Sequence, residues 1–408
     1  MRLARIPAWV PGAACLVFVG LAVAAAIPER SPLAPEHAGG ATSLAWTYLG
    51  ALTAAFVAYL AGIVALERAA PARVGVVVAI AAAIQLAPLA APVVISTDVY
   101  TYWDYARISV AHDGNAYRDT PSEFPQDPAF GLMGSRWYDT TTVYGPAFTL
   151  GSEGAAVAAG ESSRATAWTY KVVAALSMVA LVLLAARLGP RPAFAAAFVG
   201  WNPLLAVHFA GGGHNDALMM AFVLGGIALA ASGRQGLAGA AWAVAIAVKW
   251  VPLVWVPLRA LEAHARRRPV RATVVGFFLA AALIAGAATW RYGAGWIEAF
   301  GPLAGNLREQ ARYSIPNRLV QLFSLPEDVA AGLMLGVFAL AYVWLLREAW
   351  RGRARLGLAG GLLLVCASWL VPWYAVWAVP LAALEEDRAA RWLALGLSAY
   401  LLSDAVPV

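Results

Sequence analysis

Long runs of apolar residues, separated by short arginine-rich connectors, dominate this chain of 408 residues. A helix crosses the bilayer core with about 20 consecutive apolar residues, and many of the runs reach roughly that length. Only 13% of the residues are charged, about half of the roughly 25% that is usual in soluble domains. No ten-residue alternation of apolar and polar residues indicates a β-barrel. The sequence therefore predicts an all-α polytopic integral membrane protein with about eleven to thirteen hydrophobic helices.

The distribution of arginine predicts which helix ends face the cytoplasm. Most of the 29 lysines and arginines lie in or beside turns that the positive-inside rule assigns to the cytoplasmic side, including Arg2 and Arg5 near the N-terminus. The net charge of +6 therefore reflects membrane topology, and we expect no nucleic-acid partner. We expect one transmembrane domain over residues 1–408 in a bacterial plasma membrane. Two segments, residues 96–146 and 291–325, are predicted to lie outside.

One apolar run, Leu237–Leu261, has arginines beyond both of its ends. Both flanks should then be cytoplasmic, yet a single span cannot begin and end on the same side of a membrane. We therefore predict two half-length helices folded into a hairpin, with Lys249, Trp250 and Pro252 at the bend.

The longest polar segment, Ser96–Pro146, begins directly after an apolar run, Val74–Ile95, that we predict to be the third membrane helix. Asp98 would then lie where this helix meets water. A carboxylate there can stay ionised close to lipid headgroups, which suits a general base acting on a bond just above the membrane. The alternative is that Asp98 only caps the helix that follows it.

That following helix, predicted over residues 98–112, has the composition of an interfacial helix. Its aromatic residues are set against Asp104 and Arg107, a pattern that suits the boundary between lipid and water. We take Tyr102 and Asp104 as candidate substrate-binding residues, although Asp104 and later acids of the segment, such as Asp127, are also typical of solvated loop residues.

A second polar cluster, Gly213-His-Asn-Asp216, follows two further glycines and stands between apolar runs. Glycines allow a sharp backbone bend or a close approach to a ligand. Polar side chains at membrane depth are costly unless they are paired or functional. His214, Asn215 and Asp216 are therefore candidate substrate-binding residues. The alternative is that Asn215 or Asp216 caps the next helix.

Basic side chains at three places could hold an anionic lipid headgroup. Lys249 lies at the predicted hairpin bend, where snorkelling to the interface is the alternative role. Arg308, Arg312 and Arg318 lie in a segment predicted to be outside, against the positive-inside rule. Because arginine binds phosphate in a bidentate manner, they suggest a phosphate clamp, with general contact to anionic lipid as the alternative.

Trp373 and Tyr374, at a predicted outer bend, could stack on the face of a sugar. Tryptophan is also a common interfacial anchor in membrane proteins, and this role is the alternative. The sequence carries no strong metal-binding signature, so no cofactor is expected, and a requirement for a divalent metal stays open.

Five short segments spread over residues 74–380 resemble a known group of membrane enzymes. They are Asp98-Val-Tyr-x-Tyr, Gly114-Asn-Ala-Tyr117, Tyr144-Gly-Pro146, Asn202-Pro203 and Gly213-His-Asn-Asp-Ala-Leu218. The group is the polyprenyl-phosphate-mannose-dependent mannosyltransferases of the GT-C superfamily, of the actinobacterial α-1,6 type. The family often has proline where Ala116 stands, and glutamine and glycine where Ala106 and Arg107 stand.

The resemblance implies a GT-C fold with a large first external loop that contains interfacial helices. It implies a polyprenyl-phosphate sugar donor, a glycolipid or lipoglycan acceptor on the outer face, inversion at the anomeric carbon, and Asp98 as the base. The leaving phosphate would lie near basic side chains, of which Lys249, His214, Arg312 and Arg318 are the candidates.

Two other functions stay open at this point. A related transferase could use another polyprenyl-phosphate sugar, such as arabinose or glucose, since the sequence does not define the shape of the sugar pocket. A lipid or sugar transporter, or a flippase, would favour internal repeats and paired charges at the middle of the membrane. No internal repeat is detected, and the charges gather at one predicted face, so the transferase is favoured.

Overall fold

Apolar helices form most of the computed structural model, which describes residues 7–37, 40–68, 72–306, 309–404 and 406–408. The arginines Arg2, Arg5 and Arg308 lie outside the described residues. Within these ranges there are nineteen α-helices and no β-strand, so the predicted all-α class is confirmed.

The first ten helices in chain order are α1 Trp9–Ala26, α2 Thr42–Glu67, α3 Val74–Leu86, α4 Asp98–Ala111, α5 Pro146–Ala159, α6 Ser163–Leu188, α7 Pro192–Gly200, α8 Pro203–Ala206, α9 Asp216–Ala231 and α10 Gln235–Val248. The other nine are α11 Trp255–Ala265, α12 Arg271–Tyr292, α13 Gly295–Glu298, α14 Phe300–Asn306, α15 Ile315–Phe323, α16 Glu327–Trp350, α17 Leu356–Cys366, α18 Val379–Leu384 and α19 Arg388–Tyr400.

The apolar helices are of three kinds. In the described ranges, α1, α2, α6, α12 and α16 are each long and apolar enough to cross a membrane. The pair Pro192–Gly200 and Pro203–Gly211 passes the same test but bends by 53° at its break. Five further apolar helices are shorter. Together these make eleven apolar elements, which agrees with the expected number and supports a polytopic membrane protein.

The prediction of one continuous third span over Val74–Ile95 is wrong. Helix α3 ends at Leu86, a 3₁₀ turn occupies Ala87–Ala90, and the chain is irregular from there to Thr97. Pro88 and Pro92 explain the end of the helix, because proline has no N–H to donate and its ring collides with the preceding turn.

A buried lysine satisfies the carbonyl groups that the interrupted helix α3 leaves open. The ammonium of Lys171, in α6, donates to the carbonyl oxygens of Leu89 (3.3 Å), Ala91 (2.5 Å) and Pro92 (3.3 Å). Unsatisfied backbone groups are costly in an apolar environment, so this lysine makes the early helix end tolerable.

By their contacts the helices fall into two compact units. The first unit comprises Met1–Ser96, Tyr170–Ala221 and Pro372–Val408. Trp201 is fully buried within it, at the bend after α7. Its indole N–H donates to the carbonyl oxygen of Val77 (3.2 Å), and its own carbonyl accepts from the thiol of Cys15 (3.2 Å). These bonds tie the bend to α1 and α3.

The second unit comprises Thr97–Thr169 and Phe222–Val371, and it contains the predicted half-length helices. Helix α10 ends at Val248, the chain breaks at Lys249 and Trp250, and α11 begins at Trp255 after a 3₁₀ turn. The predicted break into two short helices at Lys249 and Trp250 is therefore present, while their folding into a hairpin stays a prediction. Fourteen residues of α10 span about 21 Å, less than the roughly 30 Å of a bilayer core.

The break at Lys249 lies against the end of the first polar segment. The N–H of Gly145 donates to the carbonyl oxygen of Val248 (3.2 Å). The indole N–H of Trp250 donates to the carbonyl oxygen of Val143 (3.2 Å). A Cβ atom on Gly145 would lie 2.2 Å from the carbonyl oxygen of Ala247, far inside van der Waals contact, so only glycine fits here.

We expect Gly145→Ala to lower the unfolding temperature, because a methyl group at this contact forces α5 and α10 apart, and overpacking of this kind typically costs about 1–3 kcal/mol. Gly151→Ala is the matched control, since a Cβ on Gly151 would meet nothing within 4 Å and alanine favours the helix. Thermal unfolding of both variants in detergent checks this. Equal unfolding temperatures would contradict the close contact.

Candidate functional site

Asp98 is the first residue of α4, and it is the only carboxylate of that helix that reaches the surface. Thr97 occupies the N-cap position, so Asp98 does not cap the helix as the alternative interpretation proposed. Asp98 is half-buried, whereas the eleven residues from Val99 to Ser109 are buried. A carboxylate in the first turn is favoured by the helix dipole. The half-buried carboxylate of Asp98 therefore stands at the N-terminal end of a helix whose next eleven residues are buried.

The polar loop passes close to this end of α4. A Cβ atom on Gly134 would lie 3.1 Å from Oγ1 of Thr97 and 3.4 Å from Cδ1 of Trp137. The backbone near Gly134 thus approaches the residue that precedes Asp98, and Trp137 flanks the approach. Trp137 also packs edge-on against Trp369, with ring centroids 6.1 Å apart.

The predicted helix after Asp98 is confirmed, but it is enclosed by protein rather than lying open at an interface. Tyr102 is 2% exposed and packs edge-on against Tyr144 and Phe148, with ring centroids 5.0 and 4.9 Å apart. Asp104 is only 3% exposed. The interpretation of Asp104 as a solvated loop residue is therefore wrong. Both side chains proposed to bind substrate therefore lie inside the second unit.

Asp104 is a buried acid in an unfavourable setting. Its Oδ2 atom has no hydrogen-bond partner among the residues that the structure describes. Burial raises the pKa of Asp104 to about 7, the negative charge of Asp127 adds to this rise, and Arg107 opposes it. Its carboxyl group therefore keeps a proton to a higher pH than an ordinary aspartate does.

This pKa predicts a pH dependence of stability. Between the ordinary pKa of 3.8 and about 7, the folded protein holds a proton that the unfolded chain has lost, so the free energy of unfolding falls as pH rises through this window. Asp104→Asn stays neutral throughout. We expect its unfolding temperature to exceed that of the wild type by more at about pH 8 than at about pH 5. Thermal unfolding at both pH values measures this. A difference that does not change with pH would contradict the raised pKa.

Arg107 and Asp127 form a buried ion pair that the sequence did not reveal. Arg107 Nε lies 2.8 Å from both carboxylate oxygens of Asp127, and Arg107 Nη1 donates to the carbonyl oxygen of Gly160 (3.1 Å). His112 Nε2 lies 2.7 Å from Asp127 Oδ2. The side chains of Arg107 and Asp127 are only 9% and 3% exposed. Asp127 is buried, so the prediction that it is a solvated loop acid is wrong. Its ion pair with Arg107 joins the polar loop to α4.

The segment Gly114-Asn-Ala-Tyr117, singled out by its resemblance, anchors the polar loop to neighbouring helices. The side-chain amide of Asn115 donates to the carbonyl oxygen of Tyr292 (2.8 Å), at the end of α12. The hydroxyl of Tyr117 donates to the carbonyl oxygen of Tyr144 (3.0 Å) and lies 2.9 Å from Thr149 Oγ1. These contacts hold the segment against α5 and the end of α12.

Two of the predicted phosphate-binding arginines come together around one aromatic ring. The guanidinium carbons of Arg312 and Arg318 lie 5.8 and 4.9 Å from the ring centroid of Tyr313. Ser314 caps α15 by accepting a hydrogen bond from the N–H of Asn317. The predicted arginine cluster is thus present for these two members, which lie in the second unit with Asp98 and Lys249.

The second polar cluster, around His214, lies in the first unit and is buried. The imidazole of His214 stacks on the indole of Trp373, with centroids 3.7 Å apart and planes 11° from parallel. Asp216 Oδ1 accepts a hydrogen bond from the indole N–H of Trp377 (2.7 Å). Tyr374 stacks on Trp377 at 3.9 Å. The structure therefore brings together His214, Asp216, Trp373 and Tyr374, which are far apart in sequence.

One face of each aromatic ring expected to stack on a sugar is covered by a neighbour within the chain. His214 covers Trp373, and Trp377 covers Tyr374. His208, interpreted from sequence as structural, belongs to the same cluster, since its ring centroid lies 6.2 Å from that of His214 and 5.8 Å from that of Trp373. Across the ranges described here, no three His, Cys, Asp or Glu side chains gather in a way that could hold a metal ion.

Comparison with known proteins gives a consistent picture. The family described as alpha-(1->6)-mannopyranosyltransferase, N-terminal domain, matches residues 10–265. Alpha-(1->6)-mannopyranosyltransferase A of Mycobacterium tuberculosis strain H37Rv is 30% identical over 365 residues, which cover 78% of this chain and 67% of the relative. A probable alpha-(1->6)-mannopyranosyltransferase of Mycolicibacterium smegmatis is 27% identical, over 72% of this chain and 62% of its own length.

A more distant relative completes the comparison. Alpha-(1->6)-mannopyranosyltransferase A of Corynebacterium glutamicum is 25% identical, over 76% of this chain and 71% of its own length. The chain thus spans about two thirds of the length of these relatives. No solved structure matches it.

Proposed function

The chain belongs to the alpha-(1->6)-mannopyranosyltransferase family, a family of mannosyltransferases, and on that premise we propose that it moves a mannosyl unit from a polyprenyl phosphate to a glycolipid or lipoglycan acceptor. Its apolar helices make it a membrane protein, which suits a donor and an acceptor that are both anchored in lipid. The linkage that we propose is α-(1→6), as in the names of the relatives.

The observation that carries this proposal is the placement of Asp98. Its half-buried carboxylate stands at the N-terminal end of α4, while Val99–Ser109 of that helix are buried and Arg107 ties the helix to the polar loop. A general base must be reachable by the hydroxyl that it deprotonates and must be held rigidly. The partial exposure of Asp98 at the start of a buried helix supports this role, whereas Asp104 is enclosed.

The proposed reaction is a single displacement. Asp98 takes the proton of the acceptor 6-hydroxyl as that oxygen attacks C1 of the mannosyl unit. The bond from C1 to the phosphate oxygen breaks, and the phosphate leaves with the bonding pair as polyprenyl phosphate. Attack opposite the leaving group inverts the configuration at C1, so an α-linked product requires a β-linked donor.

Basic side chains of the second unit would stabilise the leaving phosphate. Lys249 ends α10 beside the polar loop, and Arg312 and Arg318 flank Tyr313. Fixed positive charges aimed at charge that develops in the transition state can contribute several kcal/mol, on the order of 3 kcal/mol for one donor. We place this site on the outer face of a bacterial plasma membrane, because most arginine-rich turns lie on the opposite side of the predicted topology.

The choice of donor tests this proposal. Purified protein in liposomes is supplied with radiolabelled mannose on polyprenyl phosphate or on GDP, with a short mannosyl lipid as acceptor. We expect transfer from the polyprenyl-phosphate donor and none from the nucleotide sugar. Transfer only from the nucleotide sugar would refute the donor class, and faster transfer from polyprenyl-phosphate arabinose or glucose would refute the sugar. Uptake of a labelled lipid or sugar into the liposomes without transfer would indicate a transporter.

A further inference from the structure

Asn215 is a buried amide with no hydrogen-bond partner. It is 4% exposed, and neither its Oδ1 nor its Nδ2 atom has a partner among the described residues. Buried polar side chains almost always find partners in folded proteins, and each exception needs an explanation. One explanation is that a ligand supplies the missing hydrogen bonds.

The surroundings of Asn215 point in the same direction. Nδ1 of the nearby His208, which is 2% exposed, also lacks a partner in the described part of the chain. Val207–Gly211 forms a π-helical turn, a rare conformation that is frequent at functional sites. The half-exposed indole of Trp373 borders this cluster through its stack on His214. The unpaired polar atoms of Asn215 and His208, the π-helical turn and the indole of Trp373 thus lie in one cluster just before α9.

The chemistry of the cluster favours a neutral polyol over a phosphate. The carboxylate of Asp216 lies in the first turn of α9, where its negative charge opposes an anionic ligand. A primary amide offers one acceptor and one donor group side by side. Two adjacent hydroxyl groups of a pyranose match this pair, since one hydroxyl can donate while its neighbour accepts.

We propose that the side-chain amide of Asn215 binds two adjacent hydroxyl groups of a mannosyl unit and so selects the sugar. This inference rests on the proposed function, and it assigns the His214 cluster to the sugar rather than to the phosphate. In a linked mannose the adjacent ring pairs are the 2- and 3-hydroxyls and the 3- and 4-hydroxyls. The 3-hydroxyl belongs to both pairs, so its removal breaks either one. The mannosyl unit bound could be that of the donor or the terminal one of the acceptor.

A comparison of Asn215→Ala with Asn202→Ala separates binding from folding. Asn202 is equally buried, but its side chain accepts from the N–H groups of Leu204 and Leu205 and donates to Ser398 Oγ (3.0 Å). Loss of a satisfied buried amide destabilises, whereas loss of an unsatisfied one does not. We expect Asn202→Ala to lower the unfolding temperature and Asn215→Ala to leave it unchanged or raised.

The decisive assay combines these variants with 3-deoxymannosyl substrates. One arm uses polyprenyl-phosphate 3-deoxymannose as donor, and the other uses an acceptor that ends in 3-deoxymannose. We expect the wild type to use the deoxy compound of one arm at least about 100-fold less efficiently than the mannosyl compound, because a site built to bind a hydroxyl rejects an analogue that lacks it. The ratio of the efficiency with the mannosyl compound to that with the 3-deoxymannosyl compound should fall to within about threefold in Asn215→Ala. Asn202→Ala should keep the wild-type ratio. The arm in which the ratio falls identifies the donor or the acceptor as the bound sugar.

Two outcomes would overturn the inference. If Asn215→Ala kept the wild-type ratio of efficiencies in both arms, the amide of Asn215 would not bind the sugar hydroxyls. If Asn215→Ala lost as much thermal stability as Asn202→Ala, the amide would be structural, and Asn215→Ser, which is smaller and still polar, would then show the same loss. Absence of any mannosyl transfer by the wild type would instead refute the proposed function and, with it, this inference.

Discussion

Asp98→Asn protein is expected to transfer mannose at least about 100-fold more slowly than the wild type, because general-base catalysis typically contributes 10²–10⁴-fold. Asparagine keeps the size of the side chain and its place in the first turn of α4, but it cannot accept the proton of the acceptor hydroxyl. The measurement is the initial rate of transfer in liposomes. The loss should fall on kcat, while the KM values for donor and acceptor change little.

Two other acids in the same unit provide the controls for this result. Asp139→Asn removes an exposed carboxylate from the same polar loop and should leave the rate near that of the wild type. Asp104→Asn removes a buried one and should change the pH dependence of stability, as described above. A rate within about threefold of wild type for Asp98→Asn would remove Asp98 from the reaction.

Asp127→Ala is expected to lower the free energy of unfolding by about 3–5 kcal/mol, the cost of leaving one member of a buried ion pair without its partner. Arg107 would keep its charge in a site where its side chain is only 9% exposed. Its other polar contacts there are a hydrogen bond to the carbonyl oxygen of Gly160 and a 4.0 Å ion pair with the exposed Glu161. Denaturant or thermal unfolding of the purified protein measures the loss, with the exposed Asp139→Ala as the matched control.

A double variant of Arg107 and Asp127 tests whether the loss of stability comes from the unpaired charge of Arg107. Replacement of both members of a buried pair by apolar residues is often close to neutral. Arg107→Leu together with Asp127→Leu should therefore recover much of the stability that Asp127→Ala loses. If Asp127→Ala were as stable as Asp139→Ala, the ion pair would not hold the polar loop on α4.

The sequence predicts the class of fold well because apolar content alone decides it. Runs of apolar residues give the long helices, and the arginines beyond both ends of residues 237–261 give the break at Lys249. Prolines explain why the third span was predicted too long. Pro88 and Pro92 lie inside an unbroken apolar run, so hydropathy continues where the helix cannot. The presence of these prolines was the signal that could have placed the helix end at Leu86.

The candidate site is only partly predictable because its partners are distant in the chain. His214 and Asp216 could be singled out as polar residues between apolar runs, but no local pattern pairs them with Trp373 and Trp377. Asp127 resembles the other acids of its loop, and only the fold shows that Arg107 reaches it. Asn202 stands before Pro203, a local pattern that indicates a helix cap, whereas the lack of partners at Asn215 is visible only in three dimensions.

The stereochemistry of a single transfer tests the account most directly. Purified wild-type protein in liposomes is given the β-linked polyprenyl-phosphate mannose as its only donor, and the new linkage is determined by NMR. A single displacement with Asp98 as base predicts an α-(1→6) linkage, because the configuration at C1 inverts. A β-linked product, or transfer only from the α-linked donor, would contradict it, since retention requires a covalent intermediate or another mechanism in place of one base-assisted step.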